Sequence, residues 1–149
     1  MNRLHIHIAV DDLEKNIHFY TALFGAGPGT IKDDYAKWDL DDPAVNFAIS
    51  SRSDKTGLDH VGIQTDSDEA LAAIRERLEA AHVAGKEQSG TACCYARSDK
   101  YWSLDPQGIA WETFHTLDSI PTFNEQQDEP AAQGCCVPEI DSSCCGQAG

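Results

Sequence analysis

Apolar and polar positions along the first 115 residues follow one order twice. The run His5-Ile6-His7-Ile8-Ala9-Val10 is short and rich in β-branched residues, which predicts a strand. Asp11-Asp12-Leu13-Glu14 follows it. An Asp able to accept free backbone N–H groups, ahead of an acidic first turn, predicts a helix start. Leu13, Ile17, Tyr20 and Phe24 then recur at spacings of four, three and four, a single apolar stripe, with Gly25 as the stop. At an offset of 55 residues the pattern begins again. The second copy opens His60-Val61-Gly62-Ile63-Gln64-Thr65, then Asp66-Ser67-Asp68-Glu69, with Leu71, Ile74, Leu78 and Ala81 as its stripe.

Strand-like runs follow each helix. In the first copy they lie near 29–32, Tyr35–Leu40 and Val45–Ser50. In the second they lie near Val83–Glu87, Cys93–Arg97 and Tyr101–Leu104, with Ile109–Phe114 last. The turn signals Asp42-Pro43 and Asp105-Pro106-Gln107-Gly108 precede the final strand of each copy. The expected fold is α+β: two βαβββ modules, about 3–52 and 58–115, whose sheets pair into a cupped half-barrel lined by both copies.

Composition adds a boundary. The chain has 149 residues, one domain's worth, with 41% hydrophobic and 24% charged residues, close to globular averages. Lys100 is the last Lys or Arg, whereas Asp118, Glu125, Asp128, Glu129, Glu139 and Asp141 are acidic. Residues 117–149 therefore read as an acidic, Cys-rich flexible tail on a folded unit of 1–116. A formal net charge of −14 repels phosphate backbones and anionic lipid, so neither nucleic acid nor a membrane surface is expected as partner. There is no apolar run of membrane-spanning length and no apolar core to the N-terminus, so the chain is read as soluble and cytoplasmic.

Candidate chemistry comes from the repeat. His5 and His60 hold equivalent positions, each six residues before the helix-start Asp of its module. Equivalent positions in a pseudo-twofold arrangement can face one cup. Glu112 stands in the otherwise apolar Trp111-Glu112-Thr113-Phe114, where a carboxylate is costly unless exposed or bound. Its counterpart in the first module falls near Ala48, which cannot ligate. Two His and one carboxylate leave coordination positions open, the arrangement of non-haem Fe(II) oxygenases. Against this, a strand His is more often a satisfied or exposed residue than a ligand. His7 rivals His5, since residues i and i+2 share a face, but its repeat counterpart is Gly62, and His5 is preferred. His18 and His82 fall on or beside helices and read as surface residues; His115 has no support from the repeat.

Six cysteines come as the pairs Cys93-Cys94, Cys135-Cys136 and Cys144-Cys145. Neighbouring cysteines are poorly placed for staples or zinc fingers and suggest a soft, thiophilic ligand. Adjacent strand residues point to opposite faces, so chelation by Cys93 and Cys94 requires an irregular segment, for which Gly90 provides a loop or bulge. The bland alternative is one buried and one exposed Cys.

The βαβββ pairing and the stretch Val10-Asp11-Asp12-Leu13-Glu14-Lys15-Asn16-Ile17-His18-Phe19-Tyr20 resemble the vicinal oxygen chelate superfamily, which includes glyoxalase I and extradiol dioxygenases; the resemblance covers about residues 3–115. Glyoxalase I-like members resemble a four-ligand design with a second carboxylate, and Ala48 argues against that design here. Thr91-Ala92-Cys93-Cys94-Tyr95-Ala96, with the Trp111-Glu112 strand and the CC-bearing tail, resembles the ArsI/CadI family of organoarsenical C–As lyases and cadmium-induced proteins. That resemblance implies O2-dependent demethylation or dearylation of trivalent organoarsenicals to arsenite. It assigns Fe(II) to His5, His60 and Glu112 as catalytic metal ligands, and substrate arsenic to Cys93 and Cys94. Cys135, Cys136, Cys144 and Cys145 become accessory thiols. By superfamily analogy the chain is a candidate homodimer. Two other readings stand beside it: a thiol-based cadmium or arsenic binding protein without turnover, and a glyoxalase or fosfomycin-resistance-like thiol-conjugate enzyme, which leaves the CC pairs unexplained.

Overall fold

The computed structural model describes residues 1–122 and 137–140. Two strand–helix–three-strand modules follow one another: β1 (Arg3–Ala9), α1 (Leu13–Phe24), β2 (Thr30–Lys32), β3 (Tyr35–Asp41) and β4 (Ala44–Ser50), then β5 (Gly57–Thr65), α2 (Asp68–Ala80), β6 (Gly85–Cys93), β7 (Ala96–Leu104) and β8 (Ala110–Ser119). They share one eight-stranded sheet in the order β2-β3-β4-β1-β5-β8-β7-β6. The order is a palindrome of the two modules, with β1 and β5 antiparallel at its centre. Each module's first strand pairs in parallel with its last, β1 with β4 and β5 with β8.

Alternation assigns the two faces. Val45, Phe47 and Ile49 of β4 and Ala36 and Trp38 of β3 form a core packed by Ile6, Ile8, Leu13, Ile17, Tyr20 and Phe24. The expected stripe of α1 is thus the part-buried face that packs on the sheet. The intervening residues His5, His7, Asn46, Ala48 and Ser50 are all buried on the opposite, cupped face, facing counterparts from β5, β7 and β8.

Helix ends follow their caps. Asp12 accepts from Lys15 N and Gly25 ends α1 in the left-handed region at φ 68°, which glycine adopts without steric cost. In α2 the cap is Ser67, which accepts from Ala70 N, rather than Asp66. The second module also corrects the expected strands. The run near Val83–Glu87 extends as β6 to Cys93, and the expected strand Cys93–Arg97 is broken by a turn at Cys94 and Tyr95, with Ala96 and Arg97 opening β7. β8 runs to Ser119, three residues beyond the expected boundary at 116. Of the tail, Val137–Ile140 is described and lines a groove of about 800 Å³ beside Leu58, Asp59 and Ile109. The tail pairs Cys135-Cys136 and Cys144-Cys145 lie outside the described residues. No helix among the described residues is long and apolar enough to cross a membrane.

Candidate metal centre

His5, on β1 at the centre of the sheet, faces His60 of β5 across the pseudo-twofold. Their Nε2 atoms lie 3.1 Å apart. Glu112 of β8 reaches both, with Oε2 at 3.1 Å from His60 Nε2 and 3.5 Å from His5 Nε2. All three residues are 5% exposed or less. The fold thus brings together the two repeat-equivalent histidines and the carboxylate of the apolar strand, side chains separated by up to 107 positions in the chain.

The surroundings set the roles of the ring nitrogens. His60 Nδ1 sits 2.6 Å from Asp59 Oδ1, and His5 Nδ1 sits 3.0 Å from Asn46 Oδ1 and 3.1 Å from Asn46 O. Asn46 Nδ2 donates to Gln64 Oε1 at 3.2 Å, which keeps the Asn oxygen turned to His5. Both Nδ1 atoms face acceptors and carry the proton, so in neutral rings both Nε2 atoms present lone pairs. Two lone pairs and a carboxylate oxygen within 3.5 Å repel one another unless a cation lies among them. A proton on His60 meets part of that demand. Burial alone lowers its pKa, but hydrogen bonds to Asp59 and Glu112 outweigh burial and raise it to about 9. Burial, then the charge on His60, lowers His5 to about 4. A divalent ion meets the demand in full, and the donor set of imidazole and carboxylate suits one. His5, His7 and His60 also form a group whose ligand atoms lie within 4.8 Å of one another, able to hold a metal ion.

Lys100 of β7 was not foreseen. It is buried and its Nζ contacts Glu112 Oε1, which ties down one carboxylate oxygen and leaves the other toward the histidines. Burial raises the pKa of Glu112, but the Lys100 charge and the His60 hydrogen bond hold it well below the usual carboxylate range. Asp59 was missed too, although its place next to His60 was a signal. Lys100 gave only a weak one: a lone Lys before Tyr101-Trp102.

The thiol pair stands at the same cup. Cys93 ends β6 and pairs with Ala96, and Cys94 and Tyr95 take φ 56° and 61° between them. Two successive left-handed residues make the tight hairpin turn that matches strand twist. This turn, rather than the bulge at Gly90, swings the sulfurs to one side, 3.1 Å apart. Cys93 is 3% exposed and packs with Tyr35 and Ala48, with Cys94 and Tyr95 against them. The Tyr95 hydroxyl donates to Asp34; burial, then that bond, raises its pKa to about 12. Tyr35 also contacts His7, ring centroids 6.2 Å apart, so the turn reaches the floor of the metal cup. Cys93 is disulfide-bonded here, and only its reduced form offers both sulfurs. His18 and His82 are exposed, and His115 Nδ1 lies 2.7 Å from Asp68 Oδ1, away from the cup.

Comparison with known proteins agrees with this architecture. Residues 3–113 match the family model of the Glyoxalase/Bleomycin resistance protein/Dioxygenase superfamily. The Mn(II)-bound glyoxalase from Novosphingobium aromaticivorans is similar at TM-score 0.58 and 17% identity, over 85% of this chain and 44% of that one. An extradiol ring-cleaving dioxygenase from B. fuscum is similar at TM-score 0.59 and 14% identity, over 79% and 33%. These likenesses concern the fold. The trivalent organoarsenical cleaving enzyme of Bacillus sp. (strain MD1) is 38% identical over 97% of this chain and 91% of its own length. Cadmium-induced protein CadI of Mycobacterium bovis is 33% identical over 94% and 96%. The chain belongs to the Glyoxalase/Bleomycin resistance protein/Dioxygenase superfamily and, within it, to the family of the trivalent organoarsenical cleaving enzymes and CadI proteins.

Proposed function

We propose that this protein is an Fe(II)- and O2-dependent enzyme that cleaves the carbon–arsenic bond of trivalent organoarsenicals and releases arsenite. One observation carries the reading: a vicinal cysteine pair on a tight turn packs against the cupped face that holds a buried His5–His60–Glu112 trio. His5, His60 and Glu112 would hold Fe(II), which when bound supplies O2 activation. Asp59 and Asn46 orient the two imidazoles, and Lys100 restricts Glu112 to one free oxygen. Reduced Cys93 and Cys94 bind the soft arsenic as thiolates, so the carbon on arsenic is presented to the cup. Burial of the trio excludes bulk water from the reacting bond.

The overall conversion needs no outside reductant. Methylarsenite plus one O2 contains the atoms of formaldehyde plus arsenite, one oxygen going to carbon and one to arsenic, while the C–As bond breaks. The partners are then small: an organoarsenical and O2, with a soluble, cytoplasmic chain and no nucleic acid or membrane surface. A thiol-only sequestering protein has no use for a buried trio with its own orienting shell. The test is aerobic and anaerobic incubation of reduced, Fe(II)-loaded protein with methylarsenite. Arsenite is expected only with both Fe(II) and O2. Stoichiometric retention of arsenic without arsenite release favours the sequestering reading.

A further inference from the structure

His7 has no role in the trio, yet it is 0% exposed. Its Nε2 lies 2.8 Å from Ser50 Oγ, and its Nδ1 has no hydrogen-bond partner among the described residues. A buried imidazole nitrogen without a partner is costly, so this position favours a group that completes it. A ring nitrogen of His7 lies within 4.8 Å of the ligand atoms of both His5 and His60. Nitrogens on one ion of the first transition row, at about 2.0–2.1 Å each, stand up to roughly 4.2 Å apart when opposite. The three imidazoles thus stand at spacings close to those of ligands on one ion.

The module symmetry shows why the extra histidine sits there. In the second module Gly62 pairs in register with Glu112, and in the first His7 pairs in register with Ala48. His7 is the repeat equivalent of Gly62, and Ala48 that of Glu112. The large donor has moved from the last strand of the module to its first. Gly62 can carry no side chain, since a Cβ there would meet the Glu112 carbonyl oxygen at 1.9 Å. Ala48 is small and fully buried, and His7 stands beside it, directly across from His60 on β5. The place where a symmetric centre would set a second carboxylate is thus flanked by an imidazole with an unpaired nitrogen.

We propose that His7 is a fourth protein ligand, so that the centre binds a divalent ion through three imidazoles and one carboxylate. This rests on the metal reading of His5, His60 and Glu112 and extends it. Four protein ligands leave two of six positions open, enough for O2 when arsenic is held by thiols.

The test uses the full-length reduced protein with Co(II) as the probe. Paramagnetic proton NMR counts the exchangeable, strongly shifted imidazole N–H signals. Three are expected in the parent and two in His7→Gln. Metal affinity of His7→Gln, measured by chelator competition, should fall by more than the roughly 10–100-fold lost when an orienting partner behind a ligand is removed. The parent count does not depend on the variant's folding, and circular dichroism of His7→Gln and His7→Ala monitors that separately. Two signals in the parent, or unchanged affinity in a folded variant, overturn the fourth ligand while leaving the trio standing. Failure of the parent to bind Co(II) at all overturns the metal reading itself, and the fourth ligand with it.

Discussion

His60 is gripped at both ring nitrogens, by Asp59 on one side and by the His5–Glu112 pair on the other. Each residue of the cup has one job, and substitutions should separate those jobs. On the proposed function Glu112→Ala removes a metal ligand, so iron content and arsenite release should collapse, while methylarsenite capture by the thiols survives. Cys93→Ser and Cys94→Ser should do the reverse, because a hard hydroxyl replaces a soft thiolate and neither Cys is assigned to the metal. Iron content, arsenical binding and arsenite release on the three variants decide it. Parent-rate arsenite release by Glu112→Ala would contradict the iron mechanism. Asp59→Ala leaves His60 Nδ1 without its acceptor; metal affinity should fall roughly 10–100-fold with the ligands intact, readable by chelator competition. The convergence of His5 and His60 was legible because a repeat is visible as an offset, and Glu112 drew notice as a carboxylate in an apolar run. Lys100 was not, because its contact with Glu112 depends on how β7 registers on β8.

Turns and close strand approaches decide what each element presents. The hairpin of Cys94 and Tyr95 holds two non-glycine residues at positive φ, a conformation tolerated only where the surroundings enforce it. Here Tyr95 is anchored to Asp34 and packed on Tyr35 at 5.4 Å between ring centroids. The sequence reads as a strand-like run at Cys93–Arg97, and the positive φ values at Cys94 and Tyr95 break it: a turn of this kind usually announces itself by Asn or Gly. On β5, Gly62 lets β8 approach closely. Gly62→Ala forces a Cβ against the Glu112 backbone, and overpacking of this kind costs typically about 1–3 kcal/mol, occasionally more. Its thermal midpoint should drop and its metal affinity should fall together, since the same backbone carries the carboxylate. A midpoint equal to the parent's would show that the strands separate freely.

For the whole molecule, the palindromic sheet brings His5, His60, Lys100 and Glu112 together from strands of both modules. Removing residues beyond Ser119 takes away Val137–Ile140 from the groove beside Asp59, where three of these four residues are only part-buried and Glu139 is exposed. The expected loss is under about 1 kcal/mol, a midpoint shift of roughly 4 °C or less for a domain of this size, by calorimetry or circular dichroism. A larger loss would make the tail part of the core. What the sequence alone determined is local or periodic: the two modules, the stripe of α1, the caps at Asp12 and Gly25, and the equivalence of His5 and His60. These depend on side-chain spacing and backbone preference, which a linear string records. The tertiary structure decided the rest. It alone set the lone pairs of His5 and His60 face to face, tied Lys100 to Glu112, turned Cys93 and Cys94 to one side, and left His7 buried with an unpaired nitrogen. Each of these depends on inter-strand register and on φ at single residues, where one position of slip reverses the face a side chain occupies.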